Sequence, residues 1–305
     1  MDDLLLVNFG GPRHLEEIEP FLRELLCDQD VIRTPFPPFL HNWIFGRVAT
    51  KRSVAVRADY EKIGGASPIY FDTEAIANAL AKLLNCRVLT FHRYLPATHA
   101  ASFAAIQQHT RLCALPLFPQ FCSATTGSAI RFLSRSQQIR WIHSYANHPA
   151  FLNAYQKRIR TFLHEHHLQE EETALLFSAH GVPRSFIASG DCYEKECNAS
   201  FQGVMRFFPK ALGKLSYQSK FGKGEWLRPY TNEICQTSAA WAKGKKQIVI
   251  VPITFTSDHI ETLFEIEELY LPLIRAQSID AYRCPALNLE PYWIEALATI
   301  ATSCG

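Results

Sequence analysis

The chain has 305 residues, 48% hydrophobic and 20% charged, which supplies well-covered cores and, by length, roughly two domains of ordinary size. Lys plus Arg number 31 against 29 Asp plus Glu, and a net charge of +2 excludes the strong positive field that would argue for nucleic acid as a partner. Nine cysteines, an odd number with no CxxC pair, suit reduced thiols in a cytoplasmic setting rather than a disulfide framework.

The start, MDDLLLVNFGGP, carries acids where a signal peptide needs bases, so neither a secretory nor a transmembrane segment is expected there. Short apolar runs then alternate with helical patterns in chain order: LLLVNF before FLRELL, CRVLTF before THAASFAAIQQH, LCALPLF before TTGSAIRFLSR, then TALLFSA, KLSYQS and QIVIVPITF. Runs apolar at nearly every position read as strands covered on both faces, which predicts a parallel α/β architecture. A break at SYANHP, Ser144 to Pro149, precedes the long helical pattern AFLNAYQKRIRTFLHEHH. It predicts two domains, residues 1–146 and 147–305.

Between the first strand and CRVLTF lies TPFPPFLHNWIFGRVATKR, Thr34 to Arg52, which crowds aromatics among prolines and ends in Lys51-Arg52. It reads either as buried core or as a Pro-rich loop forming an apolar lip with a basic rim, suited to a large flat carboxylate-bearing ligand or a membrane surface. IGGASP is Gly-rich but lacks the ending of a P-loop, and neither GxGxxG nor GxSxG occurs.

The halves echo each other. Leu4 to Pro12, LLLVNFGGP, aligns without a gap on Leu175 to Pro183, LLFSAHGVP. Either two similar domains each open with the same strand and turn, or two ordinary strand ends look alike by chance. In the first case Phe9 and His180 occupy equivalent positions at the carboxyl ends of strands, where α/β sheets bind ligands.

His180 at such an end is placed for proton transfer as well as for a structural hydrogen bond. The run SDHIETLFEIEEL, Ser257 to Leu269, follows QIVIVPITF with five acids. Asp258 followed by Glu261 predicts a helix N-cap and its N3 acid, with Asp258, Glu261, Glu265 and Glu268 on one face. A solvated face is the ordinary reading for Glu265, Glu267 and Glu268. Glu261 and His259, in the first turn, suit a divalent cation or a base for proton removal.

Taken together, VNFGGP, YEKIGGASPI, FHRY, LPLFPQFCSATTGS, FSAHGVP, GDCYEKE, YQSKFGKGEWLRPYT and VPITFTSDHIETLFEIE resemble the ferrochelatase family over nearly the whole chain. The resemblance implies a chelatase-like fold of two similar Rossmann-like domains, each a parallel sheet flanked by helices, with a porphyrin cleft. It implies insertion of ferrous iron into protoporphyrin IX, with His180 and Glu261 as the catalytic and metal-facing pair, supported by Asp258, His259 and Glu265. Phe9 matches a position on the opposite porphyrin face, with Arg93 and Tyr94 as a polar pair on that same face. Lys51, Arg52 and Ser67 match propionate-holding positions, and Tyr193, Trp226 and Phe255 match aromatics lining the cleft.

Leu269 stands where relatives usually carry a carboxylate, and Cys304 alone lies near the end, so no iron–sulfur cluster is expected. No cofactor beyond the ferrous substrate is implied. The alternatives are coproporphyrin III as substrate, a cobalt or nickel chelatase, or a porphyrin or haem carrier without catalysis. The resemblance also leaves room for a peripheral membrane contact through residues 35–46 of a cytoplasmic protein.

Overall fold

A computed structural model describes residues 3–109, 111–134, 139–222 and 224–303; Cys304, and Lys223 of the YQSKFGKGEWLRPYT segment, lie outside them. Among the described residues eight strands form two parallel sheets. One holds β1 (Asp3–Asn8), β2 (Val88–His92), β3 (Leu112–Pro116) and β4 (Ile139–Trp141). The other holds β5 (Thr173–His180), β6 (Leu212–Gln218), β7 (Gln247–Pro252) and β8 (Asp280–Arg283). By internal packing the chain divides into two compact units, residues 1–144 with 297–305, and residues 145–296.

The strands form where the sequence is apolar at consecutive positions, because helices cover both faces of a parallel sheet. Leu5, Leu6 and Val7 of β1 and Ile248 to Val251 of β7 are fully buried. Each such side chain contributes about 1.5–3 kcal/mol of transfer free energy. β5 fills the centre of its sheet with Ala174 to Ala179 buried throughout.

The two sheets repeat one winding, β2-β1-β3-β4 and β6-β5-β7-β8. The register repeats as well. Val7 pairs with Phe91 and Pro116, and its aligned partner Ser178 pairs with Ser216 and Pro252. Strand ends alike only by chance would not share neighbours and register, so the Gly-x-Pro echo is structural. Phe9, just past β1, and His180, the last residue of β5, are therefore equivalent positions.

Proline marks where helices begin. Those at Pro38–Lys62, Pro68–Leu84, Pro96–Ile106, Pro149–Glu165 and Pro291–Ser303 open on proline, whose missing N–H costs nothing in the first turn. This overturns the loop reading of the segment 34–52. Pro37 is the N-cap and Pro38 the first residue of a helix of 25 residues, so the prolines punctuate a regular element instead of preventing one. Phe36, Phe39 and Trp43 remain 41%, 75% and 57% exposed, which rules out the core reading for them.

The acidic segment also departs from its expected form. The helix is short, Ile260–Leu263, and its N-cap is His259 rather than Asp258. A π-helical turn, Glu265–Tyr270, follows and leads into Leu271–Arg275. Pro272 has no N–H to offer the Glu268 carbonyl, and a widened turn before it relieves that mismatch. The wider turn breaks the predicted single acidic face: Glu268 is exposed, while Glu265 is half-buried.

Gly181 is required by close approach, since a Cβ there would lie 2.8 Å from the Gln218 carbonyl oxygen that already accepts the Gly181 N–H. Gly181→Ala is expected to lower the unfolding free energy by about 1–3 kcal/mol in urea titration; an unchanged midpoint would show that the backbone has room.

Candidate active site

In the second unit, the carboxyl ends of β5, β6 and β7 bring together a small charged cluster. His180 is held at both ends of its backbone. Its N–H donates to Thr254 Oγ1 at 3.1 Å, and its carbonyl accepts from the Tyr193 hydroxyl at 2.9 Å. The ring Nδ1 lies 2.6 Å from the Gly181 carbonyl oxygen. A carbonyl only accepts, so Nδ1 carries the hydrogen and Nε2 of the neutral ring presents a lone pair.

That Nε2 faces Glu261 Oε2 at 3.7 Å, and His259 Nε2 approaches the same oxygen at 3.7 Å. His259 is oriented in the same way, its Nδ1 lying 3.2 Å from the Ser257 carbonyl oxygen. Glu261 Oε2 is itself inaccessible and has no hydrogen-bond partner. Burial works to protonate Glu261, but the neighbouring His180 and His259 imidazoles outweigh it and hold the carboxyl well below its usual range. Burial likewise opposes charge on His259, and Glu261 more than offsets it, raising the imidazole pKa.

Glu265 behaves oppositely. Burial first, and the neighbouring charge of Glu261 second, raise its pKa. Ser219 Oγ donates to Glu265 Oε2 at 2.6 Å and Tyr270 reaches the same oxygen at 3.3 Å. Two acids one helical turn apart are thus pushed in opposite directions, the arrangement that separates a fixed charge from a proton carrier. Glu267 pairs with Arg283 at 2.9 Å, so of the three acids read as a solvated face only Glu268 is fully exposed.

Asp258 is a structural carboxylate. It accepts from Thr262 Oγ1 at 2.7 Å, Arg283 Nη1 at 2.8 Å, Asn288 Nδ2 at 2.8 Å and the Ala286 N–H at 3.3 Å. These bonds anchor the loop that aims His259 and Glu261. Phe255 packs beside both histidines, with ring centroids 6.4 Å from His180 and 4.9 Å from His259. Trp226 is buried and bridges to Pro183 beside Gly181. Tyr193 is buried, and its hydroxyl is committed to the His180 carbonyl.

In the first unit, Phe9 is half-buried with its ring edge-on to Tyr94 at 4.5 Å. Arg93 and Tyr94 are 6% and 0% exposed. Lys51 is exposed and Arg52 half-exposed on the Pro38–Lys62 helix. Ser67 is buried against Gly11 at the start of the Pro68–Leu84 helix, its N–H donating to the Pro12 carbonyl at 2.7 Å.

The sequence reading gave no role to Gln218, which ends β6. Its Nε2 donates to the Glu261 carbonyl oxygen at 2.8 Å and reaches Glu265 Oε2 at 3.3 Å, while its Oε1 accepts from Ser178 Oγ at 2.7 Å. One amide therefore ties the β5–β6 pair to both acids. A glutamine closing a strand was the available signal. Among the described residues, no group of three or more His, Cys, Asp or Glu side chains is arranged to hold a metal ion.

The ferrochelatase family model matches residues 2–304. Proteins named ferrochelatase from Chlamydia abortus and Chlamydia felis are each 44% identical over 304 residues, spanning 98% of this chain and 95% of theirs. One from Chlamydia trachomatis serovar A is 42% identical over 303 residues, spanning 98% of this chain and 95% of its own. Among solved structures, SirB from Bacillus subtilis with Fe3+ superposes with a TM-score of 0.58 at 11% identity, covering 100% of this chain and 96% of that one. CbiX, described as the terminal enzyme for biosynthesis of sirohaem in denitrifying bacteria, gives 0.54 at 13% identity, covering 99% of each. At those identities the two structures establish the chelatase fold alone.

The raised pKa of His259 yields a pH test. The stabilisation from its pairing with Glu261 is full below the ordinary histidine value of about 6.5 and is lost as the pH rises through the raised folded value. The NMR titration of the His259 ring should have its midpoint above about 6.5 in the wild type and fall in Glu261→Gln; a midpoint that stays put in the variant would show that Glu261 does not hold the proton.

Proposed function

The chain belongs to the ferrochelatase family of metal chelatases, and from that premise we propose that it inserts ferrous iron into protoporphyrin IX, releasing two protons and forming protohaem, as the last step of haem biosynthesis. The observation that carries the reading is the His180 Nε2 lone pair, fixed by the Nδ1 contact to Gly181 and set 3.7 Å from a carboxylate oxygen that makes no hydrogen bond. A metallated porphyrin loses two pyrrole N–H protons. His180 accepts them in turn, and Glu261 stabilises each imidazolium as it forms.

Glu265, whose pKa is raised while that of Glu261 is lowered, takes the proton onward through the contacts of Gln218, Ser219 and Tyr270. The same acids attract the ferrous substrate, which sheds water as it meets the exposed nitrogen lone pairs. Bending the macrocycle exposes those lone pairs at a cost of a few kcal/mol, offset by burial of its large apolar surface against aromatics of the second unit such as Phe255 and Trp226. The product is flatter and fits the bent surface less well, so release limits turnover.

Exposed Phe36, Phe39 and Trp43, with Lys51, Arg52 and Ser67 at the expected propionate positions, support a substrate with two carboxylates and apolar vinyl groups over one with four carboxylates. The same aromatics support a peripheral membrane contact through residues 35–46 of a cytoplasmic enzyme. Among the described residues no helix is long and apolar enough to cross a membrane. The reading needs no cofactor beyond ferrous iron.

Anaerobic assays with ferrous iron should show many turnovers on protoporphyrin IX, faster than on coproporphyrin III, and His180→Ala should lower kcat by about 100-fold or more. Faster turnover on coproporphyrin III would reverse the substrate assignment, and stoichiometric binding without turnover would leave a carrier. Glu265→Gln should slow metallation by about threefold to tenfold, the size expected for one member of a proton relay; unchanged rates at all iron concentrations would remove Glu265 from the route.

A further inference from the structure

The first unit contains a buried polar knot that the metallation chemistry does not explain. Asp28 sits just after the helix Ile18–Leu26, with a side chain only 7% exposed. Its Oδ2 accepts from Arg93 Nη2 at 2.9 Å, the Tyr94 hydroxyl at 2.9 Å and Ser128 Oγ at 2.5 Å, and its Oδ1 accepts from the Asp30 N–H at 2.8 Å. Arg93 also donates to Ser128 Oγ at 3.0 Å and to Glu24 Oε1 at 2.9 Å. The guanidinium carbon lies 4.0 Å from the centre of the Phe132 ring and 4.7 Å from that of Tyr94.

The Asp28, Arg93, Tyr94 and Ser128 side chains hydrogen-bond to one another. Tyr94 is 0% exposed, and its hydroxyl oxygen also lies 3.1 Å from the Ala124 carbonyl oxygen. The outward consequence is carried by the Tyr94 ring, which stands edge-on to Phe9 at 4.5 Å, with Phe21 and Phe118 on the other sides of Phe9 at 6.1 and 6.4 Å. Edge-to-face geometry fixes the tilt of a ring as well as its position.

We propose that Asp28 is a positioning residue for metallation: by fixing Tyr94 it sets the tilt of Phe9, so that Arg93 and Tyr94 act on the porphyrin through Phe9 rather than by touching it. This rests on the reading of Phe9 as a porphyrin-facing side chain. A buried carboxylate that satisfies four donors is a rigid support, because no single donor can swing away without leaving the charge under-bonded. A residue that shapes the binding surface changes how the porphyrin sits more than how fast protons leave, so its effect belongs mainly in KM and in the spectrum of the bound ring.

The test uses the full chain carrying Asp28→Asn or Ser128→Ala, each in the wild-type and in a Phe9→Ala background. KM and kcat for protoporphyrin IX are read separately, together with the Soret band of the bound free-base porphyrin. Loss of the Ser128 hydrogen bond should raise KM about fivefold and Asp28→Asn tenfold or more, with kcat changed less and the Soret band shifted. In the Phe9→Ala background both effects should vanish. Equal fold-changes in the two backgrounds, or a lowered thermal midpoint with KM and spectrum unchanged, would overturn the positioning role. If Asp28→Asn does not fold, the Ser128→Ala pair decides the matter alone. Failure of the wild type to metallate the porphyrin overturns the functional reading and this role together; metallation with independent effects overturns this role only.

Discussion

Glu261 keeps a negative charge where burial alone would remove it. Its Oε2 is cut off from solvent and makes no hydrogen bond, yet two imidazole nitrogens stand 3.7 Å away. The charge is stable only because those rings are held in place, and the surrounding architecture does that holding. Backbone carbonyls of Gly181 and Ser257 fix the tautomers, Thr254 and Tyr193 fix the backbone of His180, and Asp258 with Arg283 and Asn288 fixes the loop bearing His259 and Glu261. Such support matters because a misaligned partner would leave a buried charge uncompensated, at a cost of about 3–5 kcal/mol.

The two sheets use a common plan for different ends. Position for position, β1 and β5 share neighbours and register, so Phe9 and His180 occupy corresponding places. The residue that follows the second strand's partner of Asn8, Arg93, corresponds to Gln218, the partner of His180. Both are buried, and both organise carboxylates: Arg93 binds Glu24 and Asp28, and Gln218 touches Glu265 and the backbone of Glu261. In one unit the result is a closed polar knot beneath an aromatic ring. In the other it is an open charged cluster with an unsatisfied oxygen.

What was legible in the sequence follows from range. β1, β5 and β7 could be read because doubly covered strands are apolar at every position, and the repeat could be read because it is a local string of nine residues. That His180 and Glu261 lie at the carboxyl ends of buried strands was legible in short segments, although that they meet could not be read from spacing. The Pro38–Lys62 helix was misread because prolines that break a helix interior are favoured at its start. Asp28 was invisible: its partners Arg93 and Ser128 lie 65 and 100 residues away, and nothing about a lone aspartate after a helix announces them. The π-helical turn was equally hidden, because a face computed at ordinary helical spacing assumes the helix it is meant to predict.

The claim on which the rest stands is that His180 accepts the pyrrole protons, and chemical rescue tests it most directly. Single-turnover metallation by His180→Gly would be followed anaerobically with added imidazoles of graded basicity. The account predicts that the rate recovers with imidazole concentration and rises with the basicity of the imidazole, while porphyrin binding stays constant. Undiminished metallation in the variant, or a variant that binds porphyrin normally yet is rescued by no imidazole, would contradict it.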